Sequence, residues 1–465
     1  MIVAAGPGRL HRSRTVAIAL IRPAFLLLLE ILLVWSGPAS SLSIRSSDDP
    51  QSAAGAEELN ALTSALNEAV NGSSFENVSV FLGDGSGISV FAKGDGAPAW
   101  EDAMPVASAS KWVAAMVLMF AVQDGQLSLE SRPSELLSPS WSTEGPASRL
   151  TLAHLMSFTS GFNRTQANTT CSSFAVQRPI QECARELSAG FANMTSEPGT
   201  TFAYYNENLE VAAGMAEVAT GKSWDELYEQ YLRGPLALSN DTRFDGPGGV
   251  AGNLRISPAD YTAIMLAHAL PPYEDGLLES SVAKMNEDHT AEPQVSLDES
   301  RTFSGLFYES WPTWHYGYGH WLECPQGAGD WLPECTEGAQ GGVHSSIGAL
   351  GFYPIVDYAP RENYPQGYFL LIVPMAEFGA VAIPPEDSPM VRSLELADAL
   401  RGVIDQALPP TSAAECGQGR DCAAAPPPPN ASAATRANRG LVSVWAAALF
   451  WLALVGAVPG FRLGA

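Results

Sequence analysis

Eleven consecutive residues, Trp112 to Val122, read Trp-Val-Ala-Ala-Met-Val-Leu-Met-Phe-Ala-Val, with no charge and no helix breaker. A helix apolar nearly all round has no face to give to water, so this segment belongs inside the molecule. At its mouth stands Lys111, three residues after Ser108. Residues three apart share a face of a helix, which puts the Lys111 amine within reach of the Ser108 hydroxyl.

That pairing has a chemical use. A serine alcohol is a weak nucleophile and needs an adjacent base. Burial disfavours the charged form of lysine, so a desolvated Lys111 can lose its proton near neutral pH. The helix N-terminus adds positive potential and free N–H groups where an oxygen turns negative on attack. A helix-capping serine beside a lysine that reaches along the surface to water gives the same string without chemistry.

The bare pattern is also repeated. Ser281-Val282-Ala283-Lys284 carries it again, and two of the four lysines in the chain follow a serine in this way. Lys284 is followed by the charged stretch Met285-Asn286-Glu287-Asp288-His289, so only Ser108 and Lys111 sit at the mouth of a buried helix. There is no Gly-x-Ser-x-Gly elbow and no His-Glu-x-x-His zinc motif, which leaves an α/β-hydrolase triad or a zinc peptidase without its usual anchor.

The ends of the chain read as targeting and tethering segments. Arg9, Arg12 and Arg14 precede the apolar blocks Val16–Ile21 and Ala24–Trp35, which end in small residues. That is a secretory signal over 1–41, with an uncleaved signal anchor as the alternative. Residues 42–55 form a linker, and 409–440, with the prolines Pro426–Pro429, have the composition of a stalk. The tail 441–465 is apolar from Leu441 to Val458 and fits a GPI-anchor signal around Ser432–Ala434, or a short transmembrane helix.

Export agrees with two further features. Seven Asn-x-Ser/Thr sequons occur, at Asn71, Asn77, Asn163, Asn168, Asn193, Asn240 and Asn430. Six cysteines fall into close pairs, Cys171/Cys183, Cys324/Cys335 and Cys416/Cys422, as short-loop disulfides do in an oxidising compartment. None of these spacings suits zinc, and no metal or other cofactor is expected. Twenty-five basic residues against fifty acidic ones give a net charge of −25, a surface that repels phosphate backbones and argues against nucleic acid as a partner. The expected partners are a small-molecule or peptide acyl substrate and, through the tail, a membrane. The expected location is the secretory pathway or cell surface.

The folded unit spans 56–408. Val78, Val80 and Leu82, the turn Gly83–Gly87, then Ile88, Val90 and Ala92 predict a β-hairpin. Ala349–Asp357 and Tyr368–Met375 read as strands, and Lys111–Gln123, Glu207–Thr220, Pro258–Ala269 and Val391–Leu408 as helices. Strands, a long helical insert, then strands and a helix imply an α+β fold. Its antiparallel sheet part would be 56–107 and 340–408, with a mostly helical part over 108–339.

Further segments carry a family resemblance. Thr151–Phe162 resembles the "T-I-x-H-L-L-x-H-T-S-G" segment, and Tyr204-Tyr205-Asn206 the Tyr-x-Asn motif, of the class C β-lactamase-like and penicillin-binding-protein-like serine hydrolases. Gly234–Leu238 and Ala251–Tyr261 resemble two later segments, in family order. The resemblance implies a β-lactamase/transpeptidase-like fold. It also implies an acyl-enzyme at Ser108, proton transfer shared by Lys111 and Tyr204, and a substrate hydrogen bond from Asn206. A phenol near a lysine can have a lowered pKa and act as a base.

The family's third motif, Lys-Thr-Gly or His-x-Gly, meets a departure here. Read from His344 the triplet is His344-Ser345-Ser346; read back from Gly348 it is Ser346-Ile347-Gly348. A basic group at this place would bind a substrate carboxylate. An uncharged or imidazole-lined site here suits an ester, amide or peptide without one, with His344 and Ser346 as substrate-binding candidates. Trp311, Trp314, Tyr316, Tyr318 and Trp321 fit either an acyl pocket or the core. A catalytically weak or inactive surface protein that keeps the scaffold for binding is the competing reading.

Overall fold

The computed structural model describes residues 53–162, 179–192, 194, 196–245, 249–270, 276–290, 296–297, 314–323, 342–375 and 388–410, with backbone only for 53–59 and 296–297. The expected signal and tail, and the stalk beyond residue 410, lie outside these residues, as do Trp311, the sequons at Asn163, Asn168, Asn193 and Asn430, and every cysteine but Cys183; the last three residues of the expected linker, 53–55, belong to a helix. Among the described residues, no helix is long and apolar enough to cross a membrane.

The expected hairpin forms. Val78–Asp84 (β1) pairs with Gly87–Lys93 (β2), Asp84 opposite Gly87. The Ser86 backbone N–H donates to the Asp84 carboxylate at 2.8 Å, closing the two-residue turn. β2 buries Gly87, Ile88 and Phe91 and leaves Val90 and Ala92 exposed, so the apolar alternation expected of Ile88, Val90 and Ala92 does not hold there, whereas β1 is buried from Val78 to Gly83. The difference is that of an edge strand against one covered on both faces.

Seven strands make the main sheet, in the order β2-β1-β12-β11-β10-β9-β8. Here β8 is His315–Tyr316, β9 Trp321–Glu323, β10 Val343–Ser345, β11 Tyr353–Asp357 and β12 Tyr368–Pro374, and every pairing is antiparallel. Met104–Pro105 (β3), Leu254–Ile256 (β6) and Arg243–Phe244 (β5) form a second small sheet, and Thr201–Phe202 (β4) pairs in parallel with Ser296–Leu297 (β7). The main sheet thus takes in β8 and β9, which belong to the stretch read as helical. Their aromatic run was read as pocket or core, and two such short strands leave little alternation to detect.

Eight helices matter for the site: Ala53–Gly72 (α1), Ser110–Gln123 (α2), Leu152–Met156 (α3), Ile180–Phe191 (α4), Glu207–Thr220 (α5), Pro258–His268 (α6), Glu279–Asn286 (α7) and Pro389–Ala407 (α8). α1 and α8 pack on each other, and α6 and α8 both contact β12, which is buried throughout. As its composition requires, α2 is buried from Ser110 to Ala121. α5 lies against α2, α3 and α4. Cys183, on α4, is disulfide-bonded, while its expected partner Cys171 lies outside the described residues. Asn71 and Asn240 are exposed, but the Asn77 side chain accepts the Gly96 N–H at 2.8 Å.

Candidate active site

The chain folds Ser108 into a short 3-10 turn, Ala107–Ala109, that runs directly into α2. Ala107 has φ +48, in the left-handed region, which costs an L-residue about 1–2 kcal/mol. Surrounding contacts hold it there. The Ser110 hydroxyl donates to the Ala107 carbonyl at 2.6 Å and accepts the Leu254 N–H of β6 at 3.0 Å. Tyr261 of α6 donates to the Ala109 carbonyl at 2.9 Å, and Ser346 to that of Ser108 at 3.3 Å. Gly348 presses so close that a Cβ there would stand 2.1 Å from the Val106 carbonyl oxygen.

Lys111 reaches back as its spacing predicts. Its Nζ lies 2.9 Å from Ser108 Oγ and donates to the Ala251 carbonyl at 2.9 Å. The residue is 1 % exposed. Burial lowers its pKa from 10.5 to about 7, against the pull of Glu210 and Glu207, whose charges raise it. With one N–H on Ala251, the neutral amine can turn its lone pair toward the serine proton. By contrast Lys284, the other serine-spaced lysine, pairs with Glu287 at a half-exposed position.

Tyr204 closes the other side. Lys111 Nζ lies 4.8 Å from the centre of its ring, and its hydroxyl is hydrogen-bonded with Ser108. The ring is walled by Trp321 at 5.0 Å, Phe158 at 5.1 Å and Tyr316 at 6.0 Å between centroids. Phe158 is itself left-handed, φ +57, and its carbonyl accepts the Ala203 N–H at 2.9 Å, which fixes the segment before Tyr204. The segment Thr151–Phe162 therefore supports the tyrosine: Thr151 caps α3, and Phe158 clamps the strand end. Burial pushes the Tyr204 phenol well up, and the Ser108 hydrogen bond only moderates this. The sequence expectation of a lowered phenol pKa thus fails, because desolvation outweighs the hydrogen bond with Ser108.

The remaining candidates divide. Asn206 is exposed at the N-cap of α5, where its side chain makes no cap hydrogen bond. Ser346 touches the nucleophile's own carbonyl, as above. His344 is fully buried on β10; its Nδ1 lies 2.9 Å from His320 Nε2, and His320 stacks on Trp112 of α2 at 4.7 Å. Trp314, Tyr316, Tyr318 and Trp321 are all buried in the core. Among the described residues no group of His, Cys, Asp or Glu is arranged to hold a metal.

One element of the site is absent from the sequence reading. Glu207, Glu210, Gly214 and Glu217 fall on one stripe of α5, the polar face that a helix ordinarily turns to water. Here all four are buried. Glu217 accepts the N–H groups of Trp224 at 2.9 Å and Gln181 at 3.0 Å. Glu210 accepts those of Val250 and Ala251, each at 3.2 Å, directly behind the Lys111 amine. Its pKa is pushed from 4.5 to about 7 by burial, with the two backbone N–H groups and Lys111 opposing. The signal available in sequence was a carboxylate stripe on a helix whose other faces are apolar.

A serine on a strained turn, a desolvated lysine and a tyrosine thus come together at the mouth of α2. The chain belongs to the beta-lactamase family, which it matches over residues 83–355, more than half its length. No curated protein matches its sequence closely enough to count as a relative. Solved structures share the fold. A Bacteroides dorei protein provisionally classed as a β-lactamase is 22 % identical with TM-score 0.56, covering 75 % of this chain and 98 % of its own. D-amino acid amidase from Ochrobactrum anthropi is 16 % identical with TM-score 0.54, covering 74 % and 99 %. EstCE1, a hydrolase with promiscuous acyltransferase activity, is 14 % identical with TM-score 0.54, covering 75 % and 100 %.

Proposed function

We propose that the protein is a serine hydrolase that forms an acyl-enzyme at Ser108 on an ester or amide substrate. The observation that carries this reading is the 2.9 Å contact between Ser108 Oγ and an amine held near pH 7. A base with its pKa near the working pH is largely free to accept a proton and still able to return it. Lys111 takes the Ser108 proton as Oγ attacks the substrate carbonyl carbon. The tetrahedral intermediate collapses, and the leaving group departs with a proton relayed through the Tyr204 hydroxyl from Lys111. Water then enters by the same relay, giving a proton to Lys111 as its oxygen bonds to the acyl carbon; the second tetrahedral intermediate breaks its bond to Ser108 Oγ, which takes the proton back from Lys111, and the carboxylic acid product leaves. Tyr204, held neutral by burial, serves as a donor and conduit rather than a resting base.

The substrate class follows from charge. Among the described residues, no lysine or arginine other than Lys111 is hydrogen-bonded to Ser108, Tyr204 or Ser346. Glu207 and Glu210 add negative potential behind the amine. Such a site favours acyl groups without a carboxylate, and disfavours penicillins. Asn206, exposed beside Tyr204, is positioned to hydrogen-bond the substrate amide or ester. The sequons, the closely spaced cysteine pairs and the two apolar ends support an exported protein tethered at the cell surface.

The test is labelling with a fluorophosphonate and with a fluorescent penicillin, on the wild type and Ser108→Ala. We expect fluorophosphonate labelling that the substitution abolishes, and little with the penicillin. Equal fluorophosphonate labelling of both proteins would overturn the role of Ser108.

A further inference from the structure

Behind the serine and lysine lies a charged group that neither the Ser-x-x-Lys nor the Tyr-x-Asn motif contains. The Glu210 carboxylate is 2 % exposed and holds two successive backbone N–H groups, one per oxygen. The second of those residues, Ala251, presents its carbonyl to Lys111 Nζ. Glu210, the Ala251 peptide and Lys111 therefore form one chain of hydrogen bonds that ends on Ser108 Oγ. We propose that Glu210 is a positioning residue for the lysine base: it fixes the Val250–Ala251 backbone that aims the amine at Ser108, and it stands as counter-ion to the ammonium formed when Ser108 gives up its proton. The inference rests on the reading of Ser108 as nucleophile.

The physical reasons are two. An ammonium created at a desolvated site has little water to stabilise it, so a nearby carboxylate is worth far more there than at the surface. Ala251 stands between the two charges: the N–H of the Val250–Ala251 amide points at Glu210, and the C=O of the Ala251–Gly252 amide points at Lys111, so each of the two amide dipoles is oriented favourably toward the charge it meets. Among the described residues, the charges acting on Lys111 come from α5: Glu210 and Glu207. From the other elements around it, Ser108 and Tyr204 present hydroxyls, and His320 faces Trp112 instead. Of the two, Glu210 raises the lysine's proton affinity more than Glu207 does. Its protonation and that of Lys111 fall in the same range, about 7, so the two titrate as a coupled pair.

Glu210→Gln keeps an oxygen for the backbone and removes the charge; Glu210→Ala removes both. Because the chain has four lysines, isotope-labelled lysine reads the Lys111 amine directly, with Lys111→Arg identifying its signal. We expect the Lys111 midpoint to fall by about one pH unit in Glu210→Gln. The acid limb of the fluorophosphonate labelling rate should move down with it, and the maximal rate should drop roughly tenfold or more. Glu210→Ala should in addition lower the melting temperature. A Glu210→Gln protein with the wild-type Lys111 midpoint and acid limb overturns the inference, even if it is less stable. Ser108→Ala, run in parallel, separates the two readings: undiminished labelling there discards the nucleophile, whereas lost labelling with an unmoved Lys111 in Glu210→Gln discards only the counter-ion.

Discussion

The ring of Tyr204 stacks on Trp321 with centroids 5.0 Å apart and planes 26° from parallel. A residue on strand β9 of the main sheet thus sets the angle at which the phenol meets Ser108. Trp321→Ala should lower folding stability by about 3–5 kcal/mol, the range for removing a buried aromatic. It should also slow labelling at Ser108 in the fraction that remains folded. Trp321→Phe should preserve most of both. Denaturant unfolding and probe labelling at one temperature check the pair; a fully active Trp321→Ala would show that the wall does not orient Tyr204.

Lys111 and Glu210 make opposite demands on pH. Lys111 has a folded pKa below its unfolded value, so its cost is full below about pH 7 and is relieved as pH rises toward 10.5. Glu210 has a folded pKa above its unfolded value, so its cost is absent below about 4.5 and full above about 7. The summed penalty is greatest near pH 7, on the order of several kcal/mol. Thermal melts across pH should show Lys111→Met/Glu210→Gln exceeding the wild type by most near neutrality, with the gap narrowing on both sides. A gap independent of pH would rule out this account.

Gly348 has no room for a side chain. A Cβ would stand 2.1 Å from a backbone oxygen of Val106, and backbone cannot swing aside as a side chain can. Gly348→Ala should cost about 1–3 kcal/mol and should disturb labelling more than stability alone explains, since the displaced atoms lead into the Ser108 turn. The ratio of labelling rates for Gly348→Ala and wild type, measured well below the variant's melting temperature, reads this directly.

His344 and Ser346 should separate by substitution. His344 bonds to His320 inside the molecule, so His344→Ala should lower stability by about 1–3 kcal/mol through an orphaned partner. Ser346 touches Ser108 itself, so Ser346→Ala should leave stability nearly unchanged while slowing acylation several-fold. Paired melting and labelling experiments decide the matter; the reverse pattern would return His344 to the substrate.

The site was unevenly legible. Ser108 and Lys111 could be read because helical spacing and a fully apolar helix are local properties, and Glu207–Thr220 emerged with its observed limits for the same reason. Tyr204 was found through its motif, yet its proton affinity was misjudged, since that depends on Phe158, Tyr316 and Trp321, which are distant in sequence. His344 was placed near the site, but nothing local told that His320 would take up its imidazole. Glu210 was overlooked because acids in the first turn of a helix are usually favourable at its surface. Only the tertiary structure reveals that Val250 and Ala251 cover it.

Strand β1 pairs with β12 from Val78 opposite Pro374 to Gly83 opposite Phe369. These two neighbouring strands of the sheet are therefore made near opposite ends of synthesis. Until residue 374 has emerged, β1 has only the hairpin partner β2 and shows a bare, almost wholly apolar edge. Such edges pair with other chains when left waiting, and closing so long a loop makes folding slow. The nascent polypeptide thus carries a prolonged aggregation hazard, and its yield on expression should depend more on chaperone supply and translation rate than on the stability of the finished fold.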